Sequence, residues 1–430
     1  MKKINYNFGI VLNPSGSQFG GAQKRFTNLF QYLYRLYPEN AYYFVSKELF
    51  LQIKTIFPHY HLNNVIVLQN LEISLFRKTL KGGIREETSG DELVPDDIYK
   101  QLIINKLSLW RKGMLFSKSF IKQYFLYRQI EKVRKENGIK VFMGVYCGIL
   151  PLYFYLTGRK RKAGVIFSDM DSWFFNINEG DKNNRYKKFN SFNFGLEKSD
   201  MVDFLSPFII EGVLERKVNL NKKSITITPG SFSDYSKCIP VDKNECIVSY
   251  AARIMPDKNP MLYLEAAKII INKYPDVKFN LLGQGLPNLH NEINKFIELN
   301  DIKDRVFFGF HPNPPEIFAK STIFVSVQTT NNYPSQSVLE AMACGNAIIA
   351  SDVGDTRMFI NDDVGLLIPL ELNSLVNALE ILINDKKYAL RLGENAREFV
   401  LKNHTIEKCA AYYLDLFEKT RLKIESKSSI

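Results

Sequence analysis

Short apolar runs and longer amphipathic patterns alternate along the first half of the chain. Strand-like runs rich in Val, Ile, Phe and Tyr occupy residues 4–12, 42–45, 64–68, 140–145, 163–167, 201–205 and 224–228. Segments between them, such as AQKRFTNLFQYLYRL, carry apolar residues at helical spacing. This alternation predicts a parallel sheet whose strands are joined by right-handed helical crossovers. We therefore expect an α/β fold.

The alternation starts again after a polar run that ends near residue 244 and reads as a hinge. CIVSYAARIMPDKNP, VKFNLLGQG, DRVFFGF and TIFVSV then contain further predicted strands. A chain of 430 residues also exceeds what one hydrophobic core normally supports. We expect one domain over residues 1–235, a second over 236–404, and an amphipathic last segment over 405–430.

The stretch NNYPSQSVLEAMACG, residues 331–345, combines a helix start with a carboxylate one turn later. Ser335 follows a proline and is a preferred N-cap, so a helix is predicted to begin there. The first backbone amides, those of Gln336 and Ser337, would suit a phosphate because the helix dipole is positive at that end. Glu340 lies about one turn in. The alternative is that Ser335 only caps a helix and that Glu340 points at solvent.

Cysteine, histidine and hydropathy patterns exclude several classes of protein. Five scattered cysteines without CxxC spacing indicate reduced, mostly buried thiols rather than disulfides or zinc. His59 and His61 lack acidic or cysteine partners nearby in sequence, so no metal site is expected there. No apolar run approaches the roughly 18 residues of a spanning helix, and the start has too short an apolar core for secretion. The prediction is a cytoplasmic protein.

Net charge is +12, and the excess lies in the first half of the chain. Residues 1–250 hold 37 Lys and Arg against 23 Asp and Glu, a net of +14, whereas residues 251–430 hold 20 against 22, a net of −2. Residues 101–162 alone hold 14 basic residues against Glu131 and Glu136. Such a patch indicates an anionic partner: a membrane surface, a phosphorylated acceptor or nucleic acid.

Part of this basic region, within a predicted insertion at about 74–138, is amphipathic. Apolar residues recur at steps of three, four or seven, at Ile103, Leu107, Trp110, Met114, Ile121 and Phe125. Gly113 is a candidate break in the helical pattern. One interpretation is a basic helix that lies in the interface of an anionic membrane, at the inner face of that membrane. The other is a domain helix with its apolar stripe in the core and its lysines in water.

The loop after the first predicted strand, NPSGSQFGG, resembles a phosphate-binding turn only in outline. Its glycines do not satisfy GxGxxG, and it lacks the GK[ST] ending of a P-loop. A plain connecting turn fits the loop equally well.

The second half carries a family resemblance. LEAMACG, NAIIASDVGDTR and DDVGLLIP resemble the nucleotide-sugar-binding half of family 4 glycosyltransferases. The resemblance implies the GT-B fold, in which two Rossmann-like parallel-sheet domains face each other across a deep cleft. It assigns acceptor binding to the first domain and the nucleotide sugar to the second. It also implies a last helix that crosses back to the first domain.

The resemblance also implies roles for particular residues. Arg253 and Lys258 match the cation pair that holds the donor diphosphate. Glu340 matches the second carboxylate of the family pattern Glu, seven residues, Glu, and would accept hydrogen bonds from ribose hydroxyls. Asn332 stands where the first glutamate is expected and would meet the donor sugar. An amide can still bind a hydroxyl there, without a charge-assisted bond.

Two other positions match the family less specifically, one glycine is singled out by its place after a strand, and one position departs from the family. Gly20 and Gly21 match the end of its first glycine loop, whose backbone approaches the donor phosphates. Gly283 follows a strand and is expected to permit a tight turn close to the nucleotide. Ser168 stands where the family has a histidine, so no histidine role transfers to it.

The expected function is therefore a retaining, metal-independent hexosyltransferase of polysaccharide biosynthesis. A nucleoside-diphosphate sugar would be the donor substrate, with no separate cofactor, and the acceptor would be a hydroxyl of a polysaccharide, lipopolysaccharide or lipid-linked intermediate. The missing histidine and first glutamate leave a catalytically impaired binding scaffold as an alternative. A sugar-nucleotide epimerase of the same fold is another, and a nucleic-acid binder is disfavoured because no recognised motif accompanies the basic patch.

Overall fold

The computed structural model describes residues 4–12, 21–70, 109–156, 163–169, 191–215, 220, 224–228, 235–331, 333 and 335–428. Two predicted site residues, Gly20 and Asn332, lie outside these ranges, and so do all residues from 71 to 108 and the basic cluster at 158–162.

Within the described ranges, seven parallel strands form the first sheet, in the order β3-β2-β1-β4-β5-β6-β7. They are β1 (Asn7–Leu12), β2 (Ala41–Ser46), β3 (Val65–Leu68), β4 (Ile139–Val145), β5 (Gly164–Asp169), β6 (Met201–Phe204) and β7 (Ser224–Ile227). Strands β2 and β6 are buried along their whole length. Helices on both faces of a parallel sheet bury its strands, which is why these strands read as continuous apolar runs.

The helices of the first domain alternate with its strands. They are α1 (Gly21–Leu36), α2 (Lys47–Ile56), α3 (Leu109–Glu136), α4 (Ile149–Leu156), α5 (Ser191–Lys198) and α6 (Pro207–Glu215).

Helix α3 differs from the sequence-based expectation. It runs through Gly113 without a break for 28 residues, so the candidate break there is wrong. Ile121 and Phe125 are exposed on it, whereas Leu126 and Ile130 are buried in the core. Among the described residues, the last two positions of the predicted apolar stripe are therefore exposed, and a different face of α3 packs in the core.

A second sheet of six parallel strands lies between residues 247 and 368, in the order β10-β9-β8-β11-β12-β13. The strands are β8 (Ile247–Ala251), β9 (Lys278–Leu282), β10 (Val306–Gly309), β11 (Ile323–Ser326), β12 (Ala347–Ser351) and β13 (Gly365–Ile368). Its α-helices are α7 (Pro260–Lys273), α8 (Pro287–Leu299), α9 (Pro314–Lys320), α10 (Gln336–Ala343), α11 (Leu372–Asn384) and α12 (Lys386–Asn403).

Both sheets have the strand order of a doubly wound fold. In each, the chain builds outward in one direction from its first strand and then reverses, so the first and fourth strands are neighbours. Ligands of such sheets bind outside the carboxyl ends of the two strands at this reversal. In the second sheet these strands are β8 and β11, and the predicted α/β architecture with two parallel-sheet domains is confirmed.

The last helix, α13 (Ile406–Ser428), returns to the first domain and packs on α1, β4 and β5. The rings of Phe417 and Phe8 stack at 4.9 Å. A Cβ built on Gly164 would lie 2.6 Å from Thr420 Cγ2, so β5 meets this helix through a glycine. The two domains are thus connected by the hinge and also by a helix that begins in one and packs on the other.

A buried carboxyl group anchors α13 to the first sheet. Asp203 on β6 accepts hydrogen bonds from the hydroxyls of Tyr412, Tyr413 (3.3 Å), Ser168 (3.3 Å) and Thr226 (3.0 Å). Burial raises the pKa of Asp203 to about 7, while the four hydroxyl donors act in the opposite direction. Ser168 therefore has a structural partner in the core of the first domain.

Membrane and cysteine expectations can be compared with the structure. Where the chain is described, no helix is both long enough and apolar enough to cross a bilayer. All five cysteines are free thiols, and Cys147, Cys238, Cys344 and Cys409 are buried. The prediction of mostly buried cysteines is confirmed.

Candidate functional site

Arg253 follows β8 in a loop that is fixed on both sides. Backbone bonds join Ala252 N to Leu282 O at 3.1 Å and Ile254 N to Gln284 O at 2.9 Å. Ile254 is fully buried, so the alternation of an extended chain leaves the Arg253 side chain exposed. Arg253 makes no hydrogen bond or ion pair with the described part of the chain, and its guanidinium is available to an anion.

Gly283 contributes to this loop through its lack of a side chain. A Cβ at Gly283 would collide with the carbonyl oxygen of Ala252, and one at Gly285 with that of Ile254. The predicted tight strand exit is therefore present. Its physical cause is the close approach of the two loops that follow β8 and β9, and contact with a nucleotide stays a prediction.

Lys258 ends a short 3-10 helix, Pro256–Lys258, in the same loop. Its Nζ donates to Gln328 Oε1 at 2.5 Å and lies 3.2 Å from Asp257 Oδ2. Gln328 comes two residues after β11. The Thr329 amide also donates to the Asp257 carbonyl at 3.0 Å. The loops after β8 and β11 are thus joined at the strand-order reversal, where a ligand is expected.

Two buried amide groups beside Lys258 have an unused donor. Within the described chain, Gln328 Nε2 and Asn259 Nδ2 have no hydrogen-bond acceptor. Asn259 follows Lys258 directly, with a left-handed φ of 51°. An unsatisfied buried donor costs about 1–3 kcal/mol, and such groups in native proteins call for an explanation. Donors without acceptors beside a lysine are the surroundings that an anion would need.

Helix α10 begins at Gln336, with Ser335 at the N-cap, where the sequence predicts it. The hydroxyl of Ser335 makes no capping bond; it pairs with Ser337 Oγ at 3.0 Å. The capping bond predicted for Ser335 is therefore wrong. The first-turn amides of a helix have no intrahelical acceptor, so this end keeps its capacity to bind a phosphate.

Glu340 is buried, with a relative exposure of only 3%. The alternative that it points at solvent is wrong. Its carboxylate receives a hydrogen bond from Lys24 Nζ on α1, in an ion pair that joins the two domains. Desolvating a carboxylate is costly unless a cation compensates for it. The burial of Glu340 therefore depends on a residue of the other domain.

A second contact between α1 and α10 lies next to this ion pair. A Cβ built on Gly21 would lie 3.4 Å from Gln336 Cγ, so the start of α1 faces the first turn of α10. The structure thus brings together Gly21, Lys24, Gln336 and Glu340. Lys24 comes three residues after the GG pair, and a basic residue soon after GG is part of the family pattern that this loop resembles.

The loop before α10 also contacts the first domain. Asn331 Oδ1 accepts from the amides of Tyr333 (3.2 Å) and Asp355 (3.0 Å), and its Nδ2 donates to Ser206 Oγ at 3.3 Å. The Phe208 amide donates to Asp355 Oδ2 at 2.9 Å. These bonds form a second interdomain contact beside the position of Asn332, whose own role stays a prediction.

The described residues form no metal-binding cluster, and His61 has structural contacts. No group of three or more His, Cys, Asp and Glu side chains among the placed residues could hold a metal ion. His61 binds Gln31 through its backbone amide, at 2.9 Å, and through its carbonyl. Its ring lies 5.9 Å from that of Tyr34, so it packs as a structural histidine.

The ion pair between Lys24 and Glu340 can be tested by a double-mutant cycle. Lys24→Met leaves a buried carboxylate without its cation and should destabilise the protein by about 1–3 kcal/mol, a value lowered by the 31% exposure of the lysine side chain. Adding Glu340→Gln should restore most of this loss, because no charge is then left unpaired. Urea unfolding measures each variant.

Lys273→Met is the matched control, because it breaks the more exposed Lys273–Glu380 pair of the second domain. It should cost well under 1 kcal/mol. Additive losses for Lys24→Met and Glu340→Gln would show that the pair does not couple the domains.

Comparison with known proteins finds a family model that matches part of the chain. Residues 232–399 match the family model described as Glycosyl transferases group 1. The match contains the second sheet with Arg253, Lys258 and Glu340, and it does not include Lys24.

Two curated relatives illustrate the sequence similarity. The UDP-Gal:alpha-D-GlcNAc-diphosphoundecaprenol alpha-1,3-galactosyltransferase of Escherichia coli is 29% identical over 211 residues, 48% of this chain and 53% of that protein. The poly(ribitol-phosphate) alpha-N-acetylglucosaminyltransferase of Staphylococcus aureus is 24% identical over 298 residues, 67% of this chain and 57% of that protein. The chain spans about half the length of these relatives.

Solved structures extend the similarity to the whole fold. Sucrose-phosphate synthase from Thermosynechococcus elongatus superposes over 96% of this chain and 98% of its own, with a TM-score of 0.67 and 18% identity. Anabaena HepE in complex with UDP and glucose superposes over 96% and 100%, with a TM-score of 0.68 and 14% identity. At such identities the likeness shows the fold alone.

Proposed function

We propose that this chain, whose residues 232–399 match the family model Glycosyl transferases group 1, transfers a sugar from a nucleoside-diphosphate sugar to an acceptor hydroxyl. Two contacts support the proposal: Lys258 binds Gln328 after β11, and the start of α1 packs on the first turn of α10. The Arg253–Lys258 loop and α10 follow β8 and β11, the two strands at the strand-order reversal of the second sheet, and the start of α1 in the other domain faces α10.

The donor would bind in this crevice through complementary charge. The guanidinium of Arg253 and the ammonium of Lys258 would hold the diphosphate, together with the first amides of α10. Glu340 would accept hydrogen bonds from the ribose hydroxyls. Gly20 and Gly21 would let the start of α1 approach the phosphates from the facing domain, and Asn332 would meet the sugar.

The chemical step follows from this placement. The bond between the sugar carbon C1 and the diphosphate oxygen breaks, and a bond from C1 to the acceptor oxygen forms. The acceptor proton passes to an oxygen of the departing phosphate. Negative charge grows on the diphosphate during the step, so fixed cations stabilise the transition state more than the ground state. Retention of configuration and independence of a metal are parts of this proposal.

The acceptor is proposed to be a glycan or lipid-linked intermediate that carries phosphate. The names of the two curated relatives include a diphosphoundecaprenol and a poly(ribitol-phosphate) acceptor. Residues 101–162 of the first domain contain 14 basic and only two acidic residues, and this positive charge would attract such a molecule.

The proposed transfer can be tested with a panel of UDP-, GDP- and ADP-sugars and lipid-linked acceptors. Arg253→Ala and Lys258→Ala should each lower kcat/KM about 10- to 150-fold, the effect of losing one charge-assisted contact of about 1.5–3 kcal/mol. Lys295→Ala, a change of an exposed lysine on α8, is the control and should leave turnover unchanged. Donor binding without product under every acceptor condition would instead support a binding scaffold.

Peripheral contact with an anionic membrane is proposed for α3. Ile121, Tyr124 and Phe125 are exposed there, with Lys122 and Arg128 on the same helix. Apolar residues next to basic ones are typical of helices that lie in the interface of an anionic bilayer. The contact would bring the crevice to lipid-linked acceptors at the inner face of the membrane.

Vesicle sedimentation tests this contact. The protein should bind phosphatidylglycerol-containing vesicles better than pure phosphatidylcholine ones, with binding falling as salt rises. Ile121→Ser with Phe125→Ser should weaken it several-fold. Leu299→Ser, which changes an exposed leucine of the second domain, should not. Equal binding to both kinds of vesicle, or salt-sensitive binding to RNA instead, would contradict the proposal.

A further inference from the structure

Gln328 occupies a fixed, buried position beside Lys258. It follows β11 at the strand-order reversal, and both of its backbone groups bind one side chain. Its amide donates to Ser351 Oγ at 3.0 Å, and its carbonyl accepts from the same hydroxyl at 2.8 Å. Gln328 is 3% exposed and Ser351 is 1% exposed. The position of the Gln328 backbone is therefore set by the sheet.

The orientation of the Gln328 amide is set by Lys258. An ammonium group can only donate, so the atom that lies 2.5 Å from Lys258 Nζ must be the amide oxygen. The amide nitrogen then points to the other side, where no described residue accepts its hydrogen bond. This orphan donor is a consequence of the contact with Lys258 and does not depend on a choice between the two amide flips.

The neutral amide of Gln328 also matters for the charge of Lys258. A neutral amide holds the lysine ammonium in place and leaves its positive charge intact. A carboxylate at this position would neutralise Lys258 and repel an anion. The neighbouring carboxylate, that of Asp257, lies 3.2 Å from the ammonium on a side chain that is 41% exposed, so water screens it.

We infer that Gln328 positions the donor diphosphate: its Oε1 orients Lys258, and its Nε2 donates a hydrogen bond to a phosphate oxygen of the bound nucleoside diphosphate. This inference rests on the proposed function and adds a residue to its site. Asn259 follows Lys258 directly and has an unused amide donor of its own. The incoming phosphate supplies the acceptor that the buried amide lacks.

Two variants of Gln328 distinguish a role in positioning the diphosphate from a role in packing the protein core. Gln328→Met keeps the length of the side chain and removes both polar atoms. Gln328→Glu keeps the shape, replaces the donor with a second acceptor oxygen and adds a negative charge next to Lys258. Both should fold with a Tm within a few degrees of the parent protein, because Met fills the space and Glu pairs with the lysine.

Calorimetric titration with UDP, GDP and ADP measures the effect on the full chain. For the nucleotide that the parent protein binds best, Gln328→Met should weaken binding about tenfold, and Gln328→Glu should weaken it further. Asn294→Asp, which makes the same amide-to-carboxylate change on the exposed face of α8, is the control and should bind as the parent does. In turnover, the Met variant should raise the donor KM more than it lowers kcat.

The outcomes distinguish the two proposals. Parent-like nucleotide affinity in both Gln328 variants would overturn the inference and leave the transferase proposal standing. Weaker binding that is matched by a large loss of Tm would also overturn it, because Gln328 would then act only in packing. Failure of the parent protein to bind any of the three nucleotides would overturn the proposed function and this inference together.

Discussion

The buried carboxylate of Glu340 imposes the constraint on which the arrangement of the two domains depends. It lies inside the second domain, almost without contact with water, and its cation comes from Lys24 of the first domain. Removing Lys24 while the domains stay closed would leave this buried carboxylate without its cation, which is costly. The contact between Gly21 and Gln336 lies beside the pair. Helix α10 can thus keep a charged group at the crevice because the first domain closes over it.

The fold brings this pair and the phosphate-binding candidates together through strand order. In each sheet the reversal leaves a crevice at the carboxyl ends of the strands, and the two domains meet through the loops and helix starts at these ends. The return of α13 to the first sheet, anchored on Asp203, adds a second covalent and packed connection between the domains. These features bring α1 against the start of α10, and they join the loops that follow β8 and β11.

Much of the fold could be predicted from the sequence because parallel strands buried on both faces read as plain apolar runs. The break at Gly113 could not, since one glycine costs a helix only about 1 kcal/mol and a long helix tolerates it. Ser335 indicated where α10 begins, but not that Ser337 would compete for its hydroxyl. The partners of Glu340 and Gln328 lie 316 and 70 residues away in sequence, so no local pattern could reveal them.

A crystal structure of the protein with its preferred nucleoside diphosphate bound would test the central claim, that one crevice holds the donor between Lys258 and the start of α10. The account predicts phosphate oxygens within hydrogen-bonding distance of Lys258 Nζ and of the first amides of α10, with the ribose hydroxyls on Glu340. A nucleotide bound elsewhere, with the Lys24–Glu340 pair and the crevice untouched, would contradict it.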